Sequence, residues 1–472
     1  MSLARSGQAV RPTPARYAGS VATSTPLPDA PRFWVETLGC PKNAVDSDKV
    51  RASLLGDGMA PASSPEEADV VVVNTCAFID AARQESVDTV LALSDARKAG
   101  ARLVVTGCMA ERYGAELASA LPEADAVVGF AREGSIAEVV FHSGGNPRAP
   151  GRRPPSGGPR DLLELPRAAP LAPWAYVKVA EGCDRTCAFC AIPSFRGPQR
   201  SRTAASIEAE AAGLVAGGAR ELVLVAQDLA SYGRDIGQPG ELVPLMRRLD
   251  PLSADGLARI RLLYLYPSQV RDPLVGTVLE LPTSVPYFDL SLQHASAGLL
   301  RRMRRWGSGE RFAEIIAGIR HRQPEAAFRS SFIVGFPGET EEDHEELLAF
   351  LEEVELDWAG FFPFSSEEGT PAAAMEPAVP AEVVAERLAE LGELQDRLTQ
   401  SARDALVGQR VEVLVDGSED GAPVGRTHRE APEIDGVVRL DVNAGAPPLP
   451  PGALVEAEVV AAAGPDLVAR PR

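Results

Sequence analysis

The chain has 472 residues, 45% hydrophobic and 24% charged, enough to bury a sizeable core and in the range of about three ordinary domains. Its 66 acidic and 47 basic side chains leave a net charge of −19, which repels phosphate backbones, disfavours bulk nucleic-acid binding and favours a basic protein partner. No run of about 18 apolar residues occurs, which excludes a membrane-spanning helix, and the opening stretch lacks the roughly 7–15-residue apolar segment of a signal peptide, so a cytoplasmic protein is expected.

Residues 1–31, rich in Ala, Pro, Ser and Arg without periodicity, are expected to be disordered. Over 32–142 three short apolar runs, "FWVETLGC", "ADVVVVNTC" and "ARLVVTGC", alternate with helical patterns, which predicts an open parallel α/β sheet. Cys40, Cys76 and Cys108 each fall just after one of these strands, 36 and 32 residues apart. Carboxyl ends of parallel strands share one sheet edge, so the three thiols can meet there. Taken singly, each is equally a small buried hydrophobe; the recurring offset favours a meeting point.

A Pro/Gly/Arg-rich linker is expected at 143–170. Six further strand candidates follow in the segment 171–402, at 175–180, 221–226, 259–265, 287–292, 328–334 and 358–364, most of them separated by helical patterns. They predict a partial (β/α)6 barrel with its chemistry on the loops after the strands. The C-terminal segment 403–472 has Val-rich strands broken by Gly and Pro, as in a small antiparallel β-barrel. Residues 409–472 carry 11 acidic and 6 basic side chains, so this small barrel is acidic where RNA-binding ones are basic.

Six cysteines are too few for a disulfide-stapled secreted domain, and grouped thiols in a reducing compartment point to metal or redox chemistry. Cys183, Cys187 and Cys190 form C-x3-C-x2-C after the first strand of the second alternation. Soft thiolates favour zinc, copper(I) or iron–sulfur clusters. A structural zinc site is closed and needs a fourth ligand, for which His294 is the one candidate within reach of the strand ends. A four-iron cluster held by three cysteines instead leaves one iron open, where a small molecule can bind.

With Phe189 just before the last cysteine, this motif resembles that of the radical S-adenosylmethionine (SAM) enzymes. The three-cysteine α/β segment, the partial barrel and a terminal barrel of TRAM type together resemble the methylthiotransferases, over about residues 32–472. The resemblance implies a fold of three parts: the open parallel α/β sheet, the radical-SAM barrel and the TRAM barrel. It implies two [4Fe-4S] clusters, an auxiliary one on Cys40, Cys76 and Cys108 and a radical-SAM one on Cys183, Cys187 and Cys190, and SAM as cofactor. One SAM would methylate a sulfur held at the auxiliary cluster. A second, bound at the other cluster, would yield the radical that takes a hydrogen from the substrate carbon.

"LGCPKNAVDSD" and "VKVAEGCDRTCAFCAIPSFRGPQRSR" are similar to the branch of this family that modifies a ribosomal protein. That implies transfer of a methylthio group to the β-carbon of an aspartate in the basic twelfth small-subunit protein, with flavodoxin or ferredoxin as electron donor. The tRNA-modifying branch is the alternative, with Gly-Cys-Gln-Met-Asn where this chain has "GCPKN", and the acidic terminal barrel makes tRNA the less expected substrate. A non-catalytic iron–sulfur carrier or RNA-binding module is the alternative of another class. For SAM itself, Gln227 and Asp228 are expected near the cofactor's ammonium unless they cap a helix, Phe189 beside the cluster, and Gly335 with Gly338 in "GFPGET" where backbone approaches closely. Arg196, Arg200 and Arg202 are candidates for a carboxylate or for the chain's own acidic surface.

Overall fold

A computed structural model describes residues 30–133, 135–142, 161–443 and 447–472. The expectations for residues 1–29 and for 143–160 of the linker lie outside these residues.

The first unit is a five-stranded parallel sheet of β1 (Arg32–Thr37), β2 (Ala60–Pro61), β3 (Val70–Thr75), β4 (Arg102–Gly107) and β5 (Ala126–Val128), in the order β2-β1-β3-β4-β5. Its helices are α1 (Pro41–Gly56), α2 (Asp80–Ala96), α3 (Cys108–Ala120), α4 (Phe130–Glu133) and α5 (Ile136–His142). Central β3, "VVVVNT", is buried at all six positions, because helices cover both faces of a parallel sheet and leave no solvent side for polar residues.

The second unit holds six parallel strands: β6 (Trp174–Lys178), then, after a short ribbon of β7 (Ala180–Glu181) and β8 (Arg200–Ser201), β9 (Glu221–Val225), β10 (Arg259–Leu262), β11 (Tyr287–Gln293), β12 (Ala327–Val334) and β13 (Trp358–Pro363). They form two three-stranded sheets, β10-β9-β6 and β11-β12-β13. Single bridges Ile260–Ser284 and Leu265–Leu290 join the two across β10 and β11, giving an open partial barrel. The helices α6 (Ile192–Arg196), α7 (Ala204–Ala216), α8 (Leu242–Leu249), α9 (Asp272–Glu280), α10 (Ala297–Arg302), α11 (Gly309–Arg322) and α12 (Glu341–Val354) follow in chain order, and α13 (Ala381–Asp404) leads out. Leu222 and Leu224 of β9 pack outward with the helices, whereas Val223 and Val225 face inward, the period-two alternation of a strand.

What fills the inner face is not legible in the local pattern. Ala44 and Val45 of α1 pack there among Tyr176, Val223, Leu263 and Tyr287. The first unit thus inserts its first helix into the mouth of the second.

The third unit is a closed five-stranded barrel of β14 (Arg410–Glu419), β15 (Ala422–Arg426), β16 (Val438–Leu440), β17 (Leu454–Ala463) and β18 (Asp466–Pro471), in the order β14-β15-β16-β18-β17. The expected antiparallel pairing holds except at β16–β18, which run parallel where the ends close. Its segment 426–435 plugs the opposite end of the partial barrel, at the strand starts. Trp358 Nε1 donates to Arg429 O at 2.7 Å, Tyr287 Oη to Asp435 Oδ2 at 2.6 Å, and Tyr176 Oη to Pro432 O at 3.0 Å. Glu221, at the start of β9, accepts from Arg261 at 2.6 Å and from Arg426 of the small barrel at 2.8 Å, with all three side chains buried. Among the described residues no helix is long and apolar enough to cross a membrane.

Burial pushes the Glu221 carboxyl up, but Arg261 and Arg426 outweigh it and hold it at about 2, below the ordinary 4.5. A carboxylate depressed in this way stabilises the fold above its unfolded value, and that contribution fades as pH falls from 4.5 toward 2. Glu221→Gln should lower stability at pH 7 by about 3–5 kcal/mol, the usual cost of leaving a buried partner unpaired, and flatten the acid limb of thermal melts. An acid limb as steep as the parent's would contradict the assignment.

Candidate active site: two cysteine trios across one interface

Cys76 and Cys108 directly follow β3 and β4, and Cys40 caps the N-terminus of α1 three residues beyond β1. Gly39 precedes Cys40 at φ +90°, and a Cβ there would lie 2.8 Å from Cys76 Cβ, so only glycine lets the loops touch. Asn43 ties the same loops together: its Nδ2 donates to Leu38 O at 2.9 Å and Thr75 O at 3.1 Å, and its Oδ1 lies 3.6 Å from Cys108 Sγ. All six cysteines are free thiols. Burial, and then the neighbouring Cys40 and Cys108, push the Cys76 thiol up to about 12. Burial raises Cys108 to about 11 against the pull of Arg196. At Cys40 the Lys42 ammonium and the Arg196 guanidinium outweigh burial and hold the thiol below its usual value.

The second trio lies on the loop between β7 and α6. Ala188 is pinned on both sides, its N–H donating to Met303 O and its carbonyl accepting from Ala372 N, each at 2.9 Å. Arg305 Nη1 lies 3.5 Å from Cys187 Sγ. Burial raises Cys183 to about 11 and Cys190 to about 12, and Cys187 lies close enough to both to add to the rise. Phe189 between them packs on the barrel core.

Arg196, at the end of α6, ties the first trio to the second unit. It is 8% exposed. Its Nη2 lies 3.0 Å from Cys108 Sγ and 2.7 Å from Asn43 Oδ1, and its Nη1 lies 2.8 Å from Glu181 and 3.3 Å from Asp46. Lys178 of β6 closes the set, bonding Glu181 at 2.6 Å and also Asp46 of α1. The four charges balance, two of each sign, and they span both units. Glu181 is driven well below the usual carboxylate range by Arg196 and Lys178 in spite of burial. A second set closes the rim, where Glu367 after β13 takes Arg83 of α2 and Arg112 of α3, both at 2.6 Å. Asn43, Asp46, Lys178, Glu181 and Glu367 were not singled out in the sequence. An ionisable Lys178 inside the apolar run "YVKVA" was the one available sign.

Beside the second trio opens a cavity of about 430 Å³ whose walls include Cys187, Asp228, Ser231 and Tyr266. Asp228 Oδ2 accepts from Arg185 Nε and from Ser231 Oγ, both at 2.6 Å, while its buried Oδ1 has no partner. Gln227 Nε2 donates to Glu181, and its buried Oε1 also lacks a partner. Asp228 does precede a short 3-10 turn, Leu229–Ser231, but its side chain does not cap it. Gly335 lies elsewhere, at φ +81°, where a Cβ would meet Val384 of α13 at 2.4 Å; the close approach there is to a helix. The space over Gly338 is likewise taken, by Arg302. His294 is buried, its Nδ1 accepts from Ser296 N at 3.1 Å, and burial lowers it to about 4 among Asp343, His344 and Arg387. Arg200 pairs with Asp161 and Arg202 with Glu210, so both serve the chain's own acids.

Among the described residues no three His, Cys, Asp or Glu side chains are grouped to hold one metal ion. The donor chemistry, soft thiolates in threes, suits iron–sulfur clusters. The partnerless Oδ1 of Asp228, whose residue lines the cavity with Cys187, suits a small molecule that brings N–H groups.

Family models match the chain in three places: Uncharacterized protein family UPF0004 at residues 32–129, Radical SAM superfamily at 177–351 and TRAM domain at 407–471. A solved structure of the radical S-adenosylmethionine methyltransferase TsrM from Kitasatospora setae shares the fold, with a TM-score of 0.52 at 13% identity over 73% of this chain and 74% of that one. The chain is a radical SAM enzyme. It is 44% identical to the ribosomal protein uS12 methylthiotransferase RimO of Saccharopolyspora erythraea, over 93% of this chain and 95% of that one. RimO of Streptomyces coelicolor is 42% identical, over 94% and 97%. The chain belongs to the RimO family of methylthiotransferases.

In iron-free protein at pH 7–8, Cys40 should be alkylated before Cys76 and Cys108, since it is more open and its thiol is held down by two cations. Peptide mapping of an iodoacetamide time course reads the order; Cys76 reacting first would contradict the electrostatics described.

Proposed function

We propose that the chain transfers a methylthio group to the β-carbon of an aspartate in the twelfth small-subunit ribosomal protein, uS12, using two [4Fe-4S] clusters and SAM. The observation that carries this reading is the buried path from the first trio into the second unit: Arg196 reaches Cys108 at 3.0 Å and Glu181 at 2.8 Å, Glu181 accepts from Gln227, and the next residue, Asp228, lines the cavity with Cys187.

Cys40, Cys76 and Cys108 would hold the auxiliary cluster; Cys183, Cys187 and Cys190 would hold the radical-SAM cluster. When bound, the clusters and SAM supply the electron transfer, the one-carbon unit and the sulfur, chemistry beyond any side chain. The protein's part is placement. Gln227 Oε1 and Asp228 Oδ1, the two partnerless acceptors, would receive the cofactor's ammonium. Phe189 would back the cluster loop. Arg305 and Arg185, stacked on Tyr266 with ring distances of 4.1 and 3.7 Å, would steady the outer wall.

The acidic terminal barrel, with 11 acidic side chains against 6 basic over residues 409–472, favours a basic ribosomal protein over tRNA. It plugs the barrel end opposite the cysteine loop, so it would hold the body of the substrate and leave the reacting segment to reach the strand ends. Flavodoxin or ferredoxin would deliver the electron, and a cytoplasmic setting follows from that substrate.

Anaerobic reconstitution should give about eight irons per chain, from two four-iron clusters. Cys187→Ala should keep about four irons and lose all SAM cleavage. Cys76→Ala should also keep about four, still cleave SAM, yet leave uS12 without the methylthio mass. Cleavage that survives in Cys187→Ala, or the full mass on uS12 from Cys76→Ala, would defeat the reading.

A further inference from the structure

Buried cations in this chain come with carboxylates: Lys178 with Asp46 and Glu181, Lys49 with Glu210, Arg261 with Glu221, Arg403 with Glu430. Lys42 departs from that rule. Its side chain stands two residues after Cys40 in the first turn of α1 and is 8% exposed. The groups that act most on its ammonium are Tyr264, to which it also bonds, Cys40 and Arg196, and among the described residues it makes no ion pair with a carboxylate. The ammonium sits 3.4 Å from the centre of the Tyr264 ring, an attraction that offsets only part of the cost of leaving water.

Two further features mark the spot. Tyr264, just past the end of β10, is held at φ +65°, a backbone conformation that a bulky side chain adopts only when its surroundings enforce it and one that gathers at ligand sites. The enforcing bond is Tyr264 N–H to Asp289 Oδ2 at 2.9 Å. And α1 is a 16-residue helix whose first turn has no acidic residue; the Cys40 thiol takes its first backbone N–H groups, and its positive end adds to the field around Lys42.

We propose that Lys42 is the specificity contact for the substrate's side-chain carboxylate, holding it against Tyr264 beside Cys40. The inference rests on the reading that the substrate is an aspartate of uS12. A single ammonium over an aromatic ring fits one carboxylate; a phosphate, with more charge and three acceptor oxygens, would call for further cations turned the same way, whereas Arg196 is already engaged by Asp46 and Glu181. A neutral amide of the same size would leave the ammonium unpaired, so the site should reject asparagine at the same position.

The test uses reconstituted full-length enzyme without reductant or SAM and follows binding of uS12 and of its target Asp→Asn variant by calorimetry. The parent enzyme should bind the Asp form about 10- to 100-fold more tightly, the range for a hydrogen bond to a charged group. Lys42→Met should lose that preference by weakening the Asp form alone, with iron content unchanged, and Lys42→Arg should keep a measurable part of it. A Lys42→Met enzyme that still prefers the Asp form overturns the proposal. So does loss of about half the iron in Lys42→Met, which would make Lys42 a counter-charge to the Cys40 trio. If the parent enzyme binds neither form, the ribosomal-protein reading fails and the proposal with it.

Discussion

Asp46, Lys178, Glu181 and Arg196 form a buried set of two negative and two positive charges, and the relation between the two halves of the site depends on it. No member is tolerable alone in that position, because burying an unpaired charge costs several kcal/mol. Asp46 belongs to the first unit and the other three to the second, so the charges are satisfied only when the units dock in one register. That register brings Cys108 within 3.0 Å of Arg196. The interface is therefore specified by electrostatics more than by area: apolar packing of α1 in the barrel mouth holds the units together, and the charges fix how.

The rest of the chain supports this arrangement from a distance. Parallel strands put their carboxyl ends, and hence their loops, on one edge in each unit, and the two edges face one another. The small barrel occupies the other end, where Glu221 bridges Arg261 and Arg426. In the proposed reading, chemistry and substrate capture lie at opposite ends of one set of six strands. Lys42 stands out within this pattern because it carries charge to the facing edges with no carboxylate to meet it.

Much of this was legible in the residues. Short β-branched runs with cysteines just beyond them gave the first sheet and the position of Cys40, Cys76 and Cys108 just past β1, β3 and β4, and the six strand candidates of the second unit match the observed strands within three residues at each end. Those are local signals of periodicity and offset. The insertion of α1 into the barrel was not legible, because Ala44 and Val45 look like any helix core until their partner surface is known. Asn43 and Asp46 were missed for the same reason, since each meets Arg196 of another unit, more than 100 positions away. Gly335 and Gly338 were read as points of close backbone approach, and in the fold Val384 and Arg302 take the space a Cβ would need at each. Arg196, Arg200 and Arg202 form one run in the sequence but face three different acids in the fold.

The central proposal is that each cysteine trio holds a four-iron cluster one protein ligand short, with the buried set around Arg196 fixing the two units that carry them. Diffraction at the iron absorption edge from crystals of the reconstituted protein tests it most directly. The expected map has two four-iron peaks, one within each cysteine trio, and neither has a fourth protein ligand. A trio without iron, or a peak completed by a fourth side chain, would contradict it.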